Sequence, residues 1–364
     1  MRTPCGVSEP GDLPRRFCSL LNARARCSGR YGFIAFSPTD RLFSLPETGG
    51  HGTFLLLRTF LNPSFRALFL VSLIISAGAC TSHVREQPEG PVTRTLTDDA
   101  GRHVSLPARV TRVISLAPNL TEIVFAVGGG DRLVGNTSYC DYPAEAKSIQ
   151  KVGDTLHPSL ERIIALRPQV VLISTASQLE VFTQQLQNQN IAVFVTDPHD
   201  LEGVFRSIEQ IGQILGQTEQ ASSVVNKLRE RAAAVEQAVK NAQPVRVFYQ
   251  VSAEPLYTAG RDAFVTDLLR RAGAASVTTD VPGAWPKYSS ESALAAKPDA
   301  VILPTGGSMG AGNSAVADAL KSSPAALAGR VYKINDDHLA RPGPRAVDGL
   351  EELARALHPE AFKQ

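Results

Sequence analysis

Residues 159–174 read SLERIIALRPQVVLIS, and residues 289–304 read SSESALAAKPDAVILP. Ser, Glu, Ala, Pro and Val recur at matching positions, all at one constant offset (159 to 289, 174 to 304), with Arg167 or Lys297 before each proline. In each copy a short helix is predicted to end ahead of the proline, whose ring disfavours the α conformation in the residue before it. A β-branched, apolar run then suits a buried strand. One α–β phrase used twice predicts two related α/β lobes.

Upstream, residues 110–128 read VTRVISLAPNLTEIVFAVG. Residues 113–117 suit a short strand, which Pro118 ends because it has no N–H to give a ladder. Asn119 is expected to cap the next helix, with Glu122 three residues on as in a capping box. Ile123, Val124 and Val127 continue the helix, and the glycines at 128–130 close it. The loop thus lies beyond a strand's carboxyl end and at a helix N-terminus, where open α/β sheets collect ligands.

The alternation continues through RLVGN, SLERIIALR, QVVLIS, LEVFTQQLQNQ and AVFVT, the pattern of a mainly parallel sheet. TDDAGRHVSLP ahead of it reads as a hairpin. Further on, Ala221, Val224, Val225, Leu228, Val235, Ala238 and Val239 form one apolar stripe. It predicts a helix over 218–242, roughly 36 Å long at 1.5 Å per residue. Pro244 stops it, and a second β–α series starts at VRVFYQV. The expected architecture is two Rossmann-like α/β lobes joined by a long rigid helix. Its boundaries are 93–200 for the first lobe, 201–243 for the linking helices and 244–364 for the second.

The start of the chain reads differently. Arg66 is the last charge before an apolar run over 67–79, too short to span a bilayer comfortably but right for a signal core. It ends in AGAC, which resembles the bacterial lipobox and would make Cys80 a lipidated N-terminus. Ala77 stands where a larger aliphatic residue is more usual, and a plain signal peptide cut nearby is the alternative. Residues 1–66 are then an extension plus the basic flank of the signal. Most of that extension reads as a start-site artefact or a disordered segment, although the only other methionine is Met309. Residues 67–80 are signal core and lipobox, and 81–92 a tether.

Composition excludes some functions. A net charge of +2 over 364 residues, with no basic cluster interleaved with aromatics, argues against nucleic-acid binding. Of five cysteines only Cys140 lies in the body, so neither an intrachain disulfide there nor a Cys/His zinc spacing is available.

The phrases TDDAGRHVSLP, RVISLAPNLTEIVFAVGGGDRLVGNTSYCDYP, SLERIIALRPQVVL and YTAG together resemble the periplasmic substrate-binding proteins of iron–siderophore, haem and cobalamin ABC importers. The likeness covers about residues 93–357 and is nearest to the cobalamin-binding branch. It implies a periplasmic or lipid-anchored monomer that holds cobalamin, or alternatively haem or a ferric siderophore, in a cleft between the lobes. It implies no catalysis and no cofactor of the protein's own. The partners it implies are an inner-membrane permease dimer and its ATPase.

A corrin or porphyrin needs aromatic walls and a few polar contacts. The loops offer Tyr139, Tyr142, Tyr257, Trp285 and Tyr288. By resemblance Tyr139, Tyr257 and Trp285 line the cleft, with Pro118 and Asn119 in the loop beside them. Asp337, Arg341 and Arg345, spaced by four, fall on one side of a helical turn. By resemblance Asp337 and Arg341 meet the ligand's polar edge; a surface salt-bridge run is the plainer reading. Glu161 and Glu291, equivalent in the repeat, are by resemblance the permease-docking residues; helix-dipole complements are the plainer reading. Thr155 and Ser174 stand where cobalamin binders are expected to carry tryptophan. His157, His199 and His338 are conceivable axial ligands, though a solvated histidine is the commoner case. One alternative of another class remains. PTGGSMGAG matches G-x-S-x-G after a strand, with Ser308, Asp337 and His358 in hydrolase order. Too little chain follows for the rest of such a fold.

Overall fold

The computed structural model describes residues 93–174, 180–306 and 315–363. Cys80 and the apolar run before it, and Ser308 with Gly310, lie outside the described residues. Among the described residues no helix is long and apolar enough to cross a membrane.

A hairpin of β1 (Thr93–Thr97) and β2 (His103–Pro107) comes first. Buried Asp98 closes its turn, pairing with Arg102 at 2.6 Å. The first parallel sheet has the order β4 (Leu133–Asn136), β3 (Val113–Ser115), β5 (Val170–Ser174), β6 (Ala192–Thr196). Its helices are α1 (Pro118–Ala126), α2 (Leu160–Ala165) and α3 (Glu180–Gln187). Next come α4 (Leu201–Leu215) and the 22-residue α5 (Thr218–Val239), which stops three residues short of the expected end. At about 1.5 Å per residue α5 still spans some 33 Å.

The second sheet is built on β7 (Val245–Ala253). It runs β11 (Val331–Asn335), β10 (Ala300–Thr305), β7, β8 (Leu256–Thr258), with β9 (Ala274–Ser276) also on β7. Only β8 runs antiparallel within it. Its helices are α6 (Phe264–Arg271), α7 (Ser290–Ala295), α8 (Pro324–Leu327), α9 (Asp336–Leu339) and α10 (Ala346–Leu357).

Both sheets are buried on both faces, as parallel sheets must be, and the two-residue period sorts their side chains between different cores. Val113, Val170, Leu172, Val247, Tyr249 and Ile302 enter one continuous core with α1, α4, α5, α6 and α10. Their neighbours Ile114, Val171 and Ile173 face α2 and α3, while Phe248, Val301 and Leu303 face α7 and α8. The lobes therefore share an inner core around the long helix, and each has an outer core of its own.

The repeat extends into local geometry. Ser159 caps α2 by accepting from Arg162 N, and Ser289 caps α7 by accepting from Ser292 N. Arg167 and Lys297, just past the two helices, take left-handed φ of 45° and 46°. The orphan carbonyls at the helix ends receive equivalent arginines: Arg112 Nη2 donates to Leu166 O at 2.5 Å and Arg246 Nη2 to Ala296 O at 2.8 Å.

Two local expectations are corrected. Asn119 is not the N-cap of α1: Ala117 holds that position and Pro118 starts the helix, with no side-chain cap. Proline suits the first turn because its missing N–H is an orphan there anyway. Asn119 and Glu122 are thereby released from capping for longer-range contacts. Nor do Asp337, Arg341 and Arg345 lie on one continuous helical turn, because α9 ends at Leu339 and Pro342 intervenes before α10.

Candidate functional site

The loops at the carboxyl ends of the parallel strands bring the two lobes together. After β3, Ser115 Oγ donates to Ala117 O at 2.9 Å and lies 2.8 Å from Thr121 Oγ1. Thr121 is thus spent on holding the loop, not presented to a ligand. Pro118 is half-buried. Asn119 is 4% exposed and reaches the other lobe, its Nδ2 donating to Pro342 O at 3.2 Å. The approach is close: a Cβ on Gly343 would stand 3.3 Å from that of Asn119, so a larger residue there would press the loops apart.

The loop after β4 carries Tyr139 between anchored neighbours. Lys151 Nζ donates to Asn136 Oδ1 at 2.8 Å, Cys140 O at 3.1 Å and Ala146 O at 3.1 Å. Burial lowers the pKa of Lys151 against the opposing pull of Cys140 and Asp141. Cys140 is buried with Sγ 3.2 Å from Thr137 Oγ1, a packed thiol. Held between these anchors, Tyr139 remains 36% exposed. Leu156, 78% exposed, belongs to the adjoining turn, tied to this loop by Ser138 N donating to Gly153 O at 2.9 Å. Sequence reading passed over Leu156 and looked only for the aromatic absent at Thr155.

In the second lobe, residues 281–288 fold back onto β8. Thr258 N donates to Pro286 O, Gly260 N to Ala284 O, and Tyr257 bridges to Lys287. Gly260 has to be glycine, since a Cβ would collide with the carbonyl of Gly283. The loop so fixed holds Trp285 43% exposed, its ring centroid 6.5 Å from that of buried Tyr249. Tyr257 is half-buried on β8. Tyr288 packs on Phe248 at 5.9 Å and belongs to the outer core.

An ion cluster crosses from one lobe to the other. Glu122, on α1, has a side chain 2% exposed and receives Arg345 in bidentate form, at 2.9 Å and 2.6 Å. Arg341 Nη1 lies 2.8 Å from Asp141 and 3.4 Å from Glu122, while Nη2 lies 2.8 Å from Asp337. Arg345 is also 3.8 Å from Asp337, and its guanidinium sits 4.2 Å from the Tyr142 ring centroid. Burial works against the Asp141 carboxylate, yet the hydrogen bond and charge of Arg341 outweigh it and hold its pKa below the ordinary value. For Arg345 burial again opposes, and Glu122 and Asp337 raise the pKa. The surface salt-bridge reading of 337–345 is corrected, because Arg341 is 8% exposed and its partners lie across the lobe junction. Sequence reading gave Glu122 only a capping role and passed over Asp141, because neither is near these arginines in sequence.

The other named residues stand apart. Glu161 and Glu291 are exposed in the first turns of α2 and α7. His157 and His199 have side chains 82% and 73% exposed, each beside an aspartate. His338 Nδ1 lies 2.7 Å from Glu352. His358 is 2% exposed with Nε2 3.0 Å from Gly273 O. Among the described residues no group of three His, Cys, Asp or Glu could hold a metal ion.

Exposed aromatics lie on loops of both lobes, and a buried ion cluster joins the two lobes. The chain belongs to the periplasmic binding protein family, whose model matches residues 113–337. It is similar to the uncharacterized ABC transporter substrate-binding lipoprotein YvrC of Bacillus subtilis (strain 168), 31% identical over 74% of this chain and 87% of that one. It is also similar to the vitamin B12-binding protein of Photorhabdus laumondii, 29% identical over 70% of this chain and 90% of that one. Among solved structures, the periplasmic heme-binding protein BhuT with two hemes superposes at a TM-score of 0.63. That likeness has 28% identity and covers 69% of this chain and 98% of that one.

Proposed function

We propose that the chain is the substrate-binding subunit of an ABC importer. It captures cobalamin or a related corrinoid between its lobes and delivers it to an inner-membrane permease dimer with its ATPase. The observation that carries this reading is that Tyr139 and Trp285 stay exposed on pinned loops, one in each lobe, while the Asp337–Arg341 cluster and the Asn119–Pro342 bond join the lobes. A large flat ring is held by such faces, and its polar rim by such a cluster. Tyr257 and Pro118 complete the proposed wall. The names of the Bacillus and Photorhabdus relatives support both parts of the reading. Haem or a ferric siderophore is the second reading, favoured by the likeness to BhuT.

The deciding experiment screens purified mature protein against cyanocobalamin, cobinamide, hemin and ferric hydroxamates by absorbance titration. Corrin binding supports the proposal; binding of hemin or a ferric hydroxamate alone replaces it with the second reading. A fluorogenic ester assay on wild type and Ser308→Ala covers the hydrolase alternative, and serine-dependent turnover would make the chain an enzyme.

Trp285→Ala is expected to weaken corrin binding by about 1–3 kcal/mol, the sum of a lost ring contact and lost apolar burial. Tryptophan fluorescence of the wild type, whose sole indole is Trp285, should be quenched by the coloured ligand. A silent indole with unchanged affinity on substitution places Trp285 outside the site.

We further propose that Cys80 carries the lipid anchor. Cys80→Ser should move the protein from the membrane fraction to the soluble periplasm and remove labelled fatty acid. Unchanged membrane retention defeats the lipobox reading.

A further inference from the structure

Resting on the corrinoid reading above, we propose that Lys151 is a positioning residue for ligand capture. Its ammonium locks the loop of residues 137–146 before the ligand arrives, and it acts on binding through Tyr139.

The loop has little core of its own. Of residues 138–145 only Cys140 is buried, so polar bonds rather than packing decide how firmly the segment is held. One turn is local, with Cys140 N donating to Thr137 O at 3.1 Å. The remaining bonds converge on one nitrogen. Lys151 is drawn alongside the end of β4, because Asn136 N donates to Gln150 O at 3.0 Å and Val152 N to Asn136 O at 2.9 Å. From there Nζ donates to Asn136 Oδ1 at 2.8 Å, Cys140 O at 3.1 Å and Ala146 O at 3.1 Å. An ammonium has three N–H donors, and all three are engaged.

The three acceptors depend on Lys151 to different degrees. Asn136 Oδ1 belongs to the strand end, and Ala146 O also receives Asn136 Nδ2 at 3.0 Å. Cys140 O has no other donor among the described residues. It belongs to the buried residue between Tyr139 and Asp141. Without Lys151 that acceptor is orphaned, and the loop has to open toward water to satisfy it.

Tyr139 is the residue such an opening would displace. Its neighbours have a second grip from the other lobe: Arg341 holds Asp141 at 2.8 Å, and the Arg345 guanidinium sits 4.2 Å from the Tyr142 ring centroid. Among the described residues the Tyr139 side chain makes no hydrogen bond, ion pair or ring contact. Its place is therefore set by the backbone on either side, and that backbone by Lys151. A wall residue fixed in advance spares the ligand the cost of ordering it.

The test is a double-mutant cycle on the mature protein. Cyanocobalamin is titrated at neutral pH into wild type, Lys151→Met, Tyr139→Ala and the double variant, with hemin titrated in parallel. Lys151→Gln is a second variant at the same position, with the same expectation. Loss of the ammonium should weaken cyanocobalamin binding about tenfold when Tyr139 is present. In the Tyr139→Ala background the same change should cost less than about twofold, because the residue it positions is gone. Amide hydrogen exchange should quicken across 138–145 in Lys151→Met and match wild type across α5. Unchanged affinity, or an equal loss in both backgrounds, overturns the proposal and leaves the corrinoid reading standing. Wild type that binds hemin but not cyanocobalamin overturns the corrinoid reading and this proposal with it. If neither variant folds, Lys151 is a structural group and the proposal falls.

Discussion

Glu122→Gln should lower unfolding stability by about 3–5 kcal/mol, the cost of removing one partner from a buried ion pair. The variant keeps the shape of the side chain and a carbonyl acceptor, so the loss reports charge rather than packing. The glutamate side chain is 2% exposed, and those of Arg345 and Arg341 are 13% and 9%. Arg341 retains Asp141 and Asp337 at 2.8 Å, so the penalty falls on Arg345, left with Asp337 at 3.8 Å and the Tyr142 ring. A groove of about 360 Å³, bounded by Glu122, Tyr142, Arg345, Leu228 and Arg231, adjoins the pair and can admit water. That places the cost toward the lower end of the range. Urea unfolding followed by circular dichroism measures it. A change below about 1 kcal/mol would class the pair with exposed salt bridges. The double variant Glu122→Leu with Arg345→Leu should recover much of the loss, because an apolar pair needs no desolvation of charge. If the double variant is no more stable than the single one, packing rather than charge governs the site.

This cluster shows where sequence reading reached and where it stopped. Local regularities were legible. The α–Pro–β phrase at 159–174 and 289–304 marked two equivalent units, and the structure repeats even the serine caps and left-handed residues. The stripe from Ala221 to Val239 marked the long helix because apolar periodicity is a property of neighbours in sequence. Asn119 and Glu122 matched a capping box by spacing, but spacing could not show that Pro118 already begins the helix. Freed from the cap, both side chains pair with residues more than two hundred positions away, Pro342 and Arg345. Nothing local encodes such a partner. The loop position of Trp285, between Ala284 and Pro286, was legible from its neighbours in sequence.

Reversing Glu161 and Glu291 together to Arg should abolish ligand uptake by cells while leaving binding in solution nearly intact. Both glutamates are exposed, each in the first turn of a six-residue helix capped by a serine. The bland role is to complement the helix dipole, a contribution of about 0.3–1 kcal/mol per exposed site. That is too small to unfold the chain, so stability and ligand affinity should change little. The docking role is the one the family resemblance implies, and the equivalence of the two positions is compatible with it. Two related lobes offer one carboxylate each on matched, rigidly capped helices. A dimeric permease offers each of its own basic residues twice about a two-fold axis. Opposite charges paired in this way orient the encounter and speed it, and reversing both signs turns attraction into repulsion at two points at once. Each single reversal should reduce uptake, and the double reversal should remove it. Raised ionic strength should weaken docking of the wild type as well, since exposed charges are screened beyond a Debye length of about 8–10 Å. Measured uptake that survives the double reversal, or a collapse of ligand affinity in solution, leaves only the dipole role for the two glutamates.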